Sequence, residues 1–208
     1  SSENYTYTDE LKRSYIVTYL DGKTSSANYD CCGLDNVADR EGVVTQYSYD
    51  TLHRQTGTTR LNITTTDTLD AAGNVLQTTR TGSDSSQIVL RQAAYDLAGR
   101  VTSMNNALNG ATTYVETTDS QTGERTRTTT NPDNGTRIET YYRDSSLKKV
   151  TGTAAMPVRY EYGVESDGGV QRAYTKEIKL DANGNDTSEW TKTYTDMLGR
   201  AYKTVYAA

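Results

Sequence analysis

The chain has 208 residues, a formal net charge of -5, 34% hydrophobic residues, 17 Tyr, one Trp and no Phe. So low an apolar content argues against a thick hydrophobic core. The acidic balance argues against the clustered positive surface of a nucleic-acid binder, and no apolar run is long enough for a membrane-spanning helix.

Disorder is disfavoured too, because Tyr, Thr and Val are abundant and suit a pleated, half-buried surface. Nearly all the aromatic area carries a hydroxyl, which favours positions where the ring packs and the O–H finds a partner. The sequence starts at Ser1 without a recognisable signal peptide, and residues 1–208 read as a single hairpin array cut from a longer chain.

The first turn signal in chain order is Asp9-Glu10-Leu11-Lys12-Arg13. Asp30-Cys31-Cys32-Gly33-Leu34 and Asp39-Arg40-Glu41-Gly42-Val43 share its Asp and place Gly fourth. Asp50-Thr51-Leu52-His53-Arg54 has His in the Gly position. The pattern returns as Asp70-Ala71-Ala72-Gly73-Asn74 and Asp96-Leu97-Ala98-Gly99-Arg100. Later copies are the degenerate Asp144-Ser145-Ser146-Leu147-Lys148, then Asp181-Ala182-Asn183-Gly184-Asn185 and Asp196-Met197-Leu198-Gly199-Arg200.

This spacing has a mechanical reading. Asp suits the first position of a type I turn, where its carboxylate bonds the backbone two residues on. Gly in fourth place supplies the left-handed conformation that closes a bulged hairpin. The basic residue, as in Arg54, Arg100 and Arg200, then opens the return strand opposite its Asp. His tolerates positive φ and Leu147 does not, so the turn near Asp144 should differ in shape.

Between turns the sequence alternates with period two, the signature of strands. Val43, Thr45, Tyr47 and Tyr49 share one face; Val158, Tyr160 and Tyr162, then Tyr202, Thr204 and Tyr206, repeat the pattern. The Asp signals at 30, 39, 50, 70 and 96 lie 9, 11, 20 and 26 residues apart. A hairpin arm with its turn takes about 8–12 residues, so the wider gaps hold additional turns. Asn109-Gly110 and Asn131-Pro132-Asp133-Asn134-Gly135 are candidates for such turns. The fold class expected is all-β: tandem antiparallel β-hairpin repeats forming a coiled ribbon or partial shell.

Ala94-Tyr95-Asp96-Leu97-Ala98-Gly99-Arg100, Tyr194-Thr195-Asp196-Met197-Leu198-Gly199-Arg200 and Tyr49-Asp50-Thr51-Leu52-His53-Arg54 resemble the YD repeat of the RHS-repeat proteins. That family includes bacterial polymorphic toxins, components of insecticidal toxin complexes, wall-associated proteins and the animal teneurins. The resemblance implies a β ribbon that coils into a spiral or hollow shell. In several relatives the shell encloses a toxic C-terminal polypeptide, and in others it contributes to adhesion or carbohydrate binding. No Asp-Pro occurs here, so the self-cleaving segment of toxin-bearing relatives is not expected in this piece. Eight or so repeats also fall short of closing a cavity.

Cys31 and Cys32 fall at the tip of one turn. Neighbouring α-carbons sit near 3.8 Å across a trans peptide, closer than the usual disulfide separation of about 4.4–6.8 Å, so a vicinal bridge would be strained. Packed thiols and a bridge to another chain or a metal stand beside that reading. His53 is better explained as a turn residue than as a general base. Trp190 and the Tyr-rich strands offer rings for stacking on a sugar, although a cross-strand aromatic ladder that stabilises the sheet is the better explanation. With one His and most Asp residues occupied in turns, no catalytic set emerges and no cofactor or metal site is expected. The expected function is a non-enzymatic scaffold of a secreted or cell-surface protein. Its expected partners are copies of itself through open strand edges, glycans or an enclosed polypeptide. A carbohydrate-binding module and a toxin-shell segment are the alternatives.

Overall fold

The computed structural model describes residues 3–31 and 33–207. Those residues form eighteen strands and no helix, an all-β tandem-hairpin architecture. The chain divides into two compact units, residues 1–110 and 111–208.

The first unit is a meander of β1 (Asn4–Tyr7), β2 (Tyr15–Thr18), β3 (Thr24–Tyr29), β4 (Leu34–Ala38), β5 (Val44–Tyr49), β6 (Gln55–Arg60), β7 (Ile63–Leu69), β8 (Val75–Thr81), β9 (Gln87–Tyr95) and β10 (Val101–Asn106). Each strand pairs antiparallel with the next. The second unit repeats the plan with β11 (Ala111–Thr118), β12 (Arg125–Thr130), β13 (Thr136–Tyr141), β14 (Leu147–Thr151), β15 (Val158–Asp167), β16 (Val170–Leu180), β17 (Asp186–Thr195) and β18 (Ala201–Tyr206).

In such a meander successive turns alternate between two edges. One edge of the first unit carries the turns that open at Asp9, Asp30, Asp50, Asp70 and Asp96. Asp39 lies on the opposite edge, between β4 and β5, although its sequence signal looks the same. The structural repeat on the Asp edge is therefore two strands and about twenty residues.

The turns at Asp39, Asp50, Asp70, Asp96, Asp181 and Asp196 share one geometry, whereas the Asp9 turn is closed by the Thr8 amide donating to the Ser14 carbonyl and the Asp30 turn by the Asp30 amide donating to the Gly33 carbonyl. In the Asp50 turn the Asp50 amide donates to the Arg54 carbonyl at 3.0 Å and the His53 amide donates to the Asp50 carbonyl at 3.0 Å. The fourth residue takes positive φ, with His53 at 61°, Lys12 at 55° and Gly99 at 75°. The hairpin near Asp144 departs from the sequence template: its turn runs from Tyr142 to Ser146, Ser145 has φ 69°, and Leu147 already begins β14. Asp144 occupies the third turn position, where its carboxylate accepts the Ser146 amide at 2.9 Å.

A second irregularity recurs that the sequence does not announce. Six residues after the turn opens, the return strand carries one unmatched residue: Thr56, Leu76, Thr102, Lys148 and Tyr202. Such bulges bend the strand and interrupt the ladder. Tyrosine hydroxyls compensate. Tyr49 donates to the Leu34 carbonyl at 2.8 Å, Tyr95 to that of Val75 at 3.0 Å, and Tyr162 to that of Leu147 at 2.8 Å. In each case both residues lie beyond the last matched pair of their two strands. The ring spans the gap and its O–H supplies a bond the backbone has lost, a role Phe cannot fill.

The core is thin. Among the described residues the buried apolar side chains are Val17 and Ala27 in the first unit and Val150, Val158, Ile178, Leu180 and Tyr194 in the second.

Candidate functional site

Three groups of side chains carry chemistry: the Asp edge, the tip bearing Cys31, and the aromatic face around Trp190. On the edges, the carboxylates are occupied by their own turns. Asp50 Oδ1 accepts the amides of Leu52 and Arg54 at 2.9 Å each, while Oδ2 takes Arg54 Nε at 2.7 Å. Asp96 repeats this with Ala98 and Arg100, and Asp196 with Leu198 and Arg200. Asp70 holds the Asn74 amide and side chain; Asp181 holds those of Asn185. Asp39 accepts the amides of Glu41 and Val43 and pairs with Arg60, while Asp30 receives the Gly33 amide at 3.0 Å.

Donated hydrogen bonds favour the ionised carboxylate. The Arg54 and Arg100 backbone N–H groups hold Asp50 and Asp96 below the usual range, and the Arg200 N–H does the same for Asp196. A carboxylate held ionised with its lone pairs engaged is a poor proton shuttle near neutral pH.

Positive φ values of Gly42, Gly73, Gly99, Gly184 and Gly199 place these residues in the fourth-position role at their turns, each amide donating to its Asp carbonyl. Gly33 departs from the template with φ 146°, donating its amide to the Asp30 carboxylate and accepting the Asp30 amide at its own carbonyl. Gly33 is also close-packed, since an added Cβ there would lie 3.1 Å from the Tyr49 hydroxyl. Neighbouring turns on the Asp edge are tied together: Arg54 Nη1 donates to the Asp70 carbonyl at 2.9 Å, and Arg13 Nη1 contacts that of Asp30 at 3.5 Å. His53 sits at an exposed turn tip. Cys31 is exposed at the tip between β3 and β4; Cys32, its prospective disulfide partner, lies outside the described residues. Among the described residues no group of three or more His, Cys, Asp or Glu side chains is arranged to hold a metal.

Trp190 is half-buried on β17, registered opposite Ile178. Lys176 Nζ stands 4.7 Å from the centre of its ring, so one ring face is already covered by a cation–π contact. A shallow groove of about 220 Å³ beside it is lined by Glu177, Lys179, Glu189 and Tyr206.

Across β15–β18 a network lies that the sequence reading did not single out. Glu165 takes Lys192 Nζ at 3.1 Å and the Tyr194 hydroxyl. Asp167 takes the Tyr202 hydroxyl at 2.7 Å and Lys203 Nζ at 2.5 Å. Lys192 stands 4.3 Å from the Tyr174 ring centre, and Arg172 stands 5.1 Å from that of Tyr202. The hydrogen bond to Glu165 pushes the Tyr194 phenol up to about 12. Alternation of Tyr with Lys or Glu in residues 158–206 was the available signal, but the partners are set by register across four strands.

Each unit, in which strand after strand meets its sequence neighbour, belongs to the tandem-hairpin class of β proteins. No family model and no curated protein matches the chain. Solved structures do. The crystal structure of TcdB2-TccC3-Cdc42 is similar over 97% of this chain and 13% of its own, with TM-score 0.51 and 13% identity. That of TcdB2-TccC3-TEV is similar over 98% and 13%, with TM-score 0.50 and 13% identity. The likeness shows that this chain shares the fold of a part of those toxin-complex structures. The chain spans about 13% of the length of those structures.

Proposed function

We propose that this chain is a non-enzymatic wall segment of a secreted or cell-surface β-shell, which encloses, displays or assembles with other polypeptides. The observation that carries this reading is the combination of a thin core with extensive local pairing. Side chains on the edges and faces are used to hold turn to turn and strand to strand, as in arrays whose stability sums over neighbouring repeats. The likeness over nearly the whole of this chain to a small part of much longer structures supports a segment role. A toxin-shell setting and self-association through strand edges are refinements of the same reading. Electron cryomicroscopy of the full-length gene product tests it: a hollow density with these strands in its wall is expected. A solid body, or a hairpin ribbon that encloses nothing and contacts no other domain, overturns it.

A further inference from the structure

One face of the first unit carries positive charge that the chain does not neutralise. Arg13, Lys23, Arg40, Arg54, Arg60 and Arg100 each pair with a carboxylate, and Lys12 stands over the Tyr7 ring. Arg80 and Arg91 do neither. Arg91 Nε is shielded from solvent yet has no hydrogen-bond partner, and a shielded donor left unsatisfied is costly.

Both side chains lie on the same face. Thr78 is registered opposite Arg91, and Arg80 follows two residues along β8. The carboxylate on that face beside them, Asp67, is registered with Thr78 and accepts the Thr78 hydroxyl at 2.5 Å. Arg80 also borders a concavity of about 410 Å³ lined with it by Arg60, Tyr47, Thr58 and Thr65. Arg60 is engaged by Asp39 and Thr45. The available donors are therefore the Arg80 and Arg91 guanidiniums and the hydroxyls of the concavity.

Two neighbouring guanidiniums repel one another unless an anion lies against them, and each offers a fork suited to a carboxylate. Diagonal neighbours on adjacent strands are roughly 7–8 Å apart, their Cβ atoms somewhat less, and here the unmatched Leu90 lies next to Arg91. Alternate side chains of an extended chain are roughly 6.6 Å apart, close enough for one carboxylate to meet each arginine.

We propose that this face binds an extended polypeptide segment with carboxylates on alternate residues, Arg80 and Arg91 each receiving one. The inference rests on the wall reading for its setting, since it gives a chemistry to the polypeptide such a wall would cover. The probe is a short fluorescent peptide of alternating Glu and Ser, titrated with the whole 208-residue chain and followed by anisotropy. It should bind, weaken with added salt, and lose about tenfold or more in affinity in Arg80→Gln and in Arg91→Gln, in line with the strength of forked ion pairs. Because Arg80 is exposed, Arg80→Gln keeps the result independent of any folding defect at Arg91. Unchanged affinity in Arg80→Gln, equal binding of a Gln-Ser peptide, or displacement by inorganic phosphate at matched concentration would overturn it. A failed titration leaves the hollow density of the full-length protein untouched, so the two readings fail separately.

Discussion

In the first unit strands are four to nine residues long, and neighbouring turns are tied along one edge by Arg13 and Arg54. In the second, β15, β16 and β17 run ten to eleven residues, and their shared face holds Tyr174, Lys192, Tyr194 and Glu165 in contact. Among the described residues the second unit also has five of the buried apolar side chains, against two in the first. One turn template thus supports two ways of holding a hairpin ribbon together. Where strands are short there is little face to pack, and the turns are bonded to each other. Where strands are long, side chains on the face take over.

Substitutions should separate the two modes, most sharply at glycine. An added Cβ at Gly152 in the second unit would lie 2.2 Å from the Thr136 carbonyl oxygen at φ 116°, whereas Gly42 in the first has φ 79° and open space. Gly152→Ala should cost well over about 3 kcal/mol in urea unfolding, and Gly42→Ala only about 1–2. Equal costs would mean that the hairpin between β14 and β15 can relax. Next in size, Ile178→Ala at a side chain 3% exposed should cost about 2–5 kcal/mol. Val17→Ala, 4% exposed in the thinner core, should cost about 1.6 kcal/mol for its lost methyl groups. If the two match, the contrast in cores is one of number only.

Smaller again, Tyr95→Phe removes the hydroxyl donated to Val75 and should cost about 1 kcal/mol. Amide exchange should accelerate near Val75 and Leu76 more than at the far end of β9. The smallest effect is alkaline. Tyr160, desolvated and bonded to Glu177, and Tyr194, bonded to Glu165, are both pushed from 10.0 up to about 12. The folded state holds these protons more tightly than the unfolded chain. Their contribution is present below pH 10 and lost as pH rises towards 12. Phenolate absorbance should therefore show a late-titrating class tied to unfolding of the second unit, reduced by Tyr160→Phe.

Much of the architecture was legible in the sequence. Period-two alternation in residues 43–49 and 158–162 marks strands, and Asn109 and Asn134 take the positive φ that their turns require. The edges were harder to read. Asp39 and Asp50 carry equivalent signals, yet only counting strands assigns them to opposite ends. Asp is ambiguous for a further physical reason: it caps backbone amides from the first turn position, as Asp50 does, or from the third, as Asp21, Asp84, Asp133 and Asp144 do. That ambiguity displaced the reading at Asp144 by two residues. The recurring bulge had no residue signature, because Thr56, Leu76, Lys148 and Tyr202 share no property. Arg80 and Arg91 stand out only by lacking partners, which no sequence pattern reports.

The alternation of edges has a consequence for how such a chain can change length. Asp9, Asp30, Asp50 and Asp70 follow one another at 21, 20 and 20 residues, a step of two strands. Duplicating or deleting two strands leaves every later turn at its own end, each tyrosine beside the carbonyl it caps. Removing one strand reverses the direction of everything after it, exchanging the ends at which bulged and unbulged turns must sit. Growth and loss by recombination should therefore be quantised in hairpins, with odd strand numbers selected against.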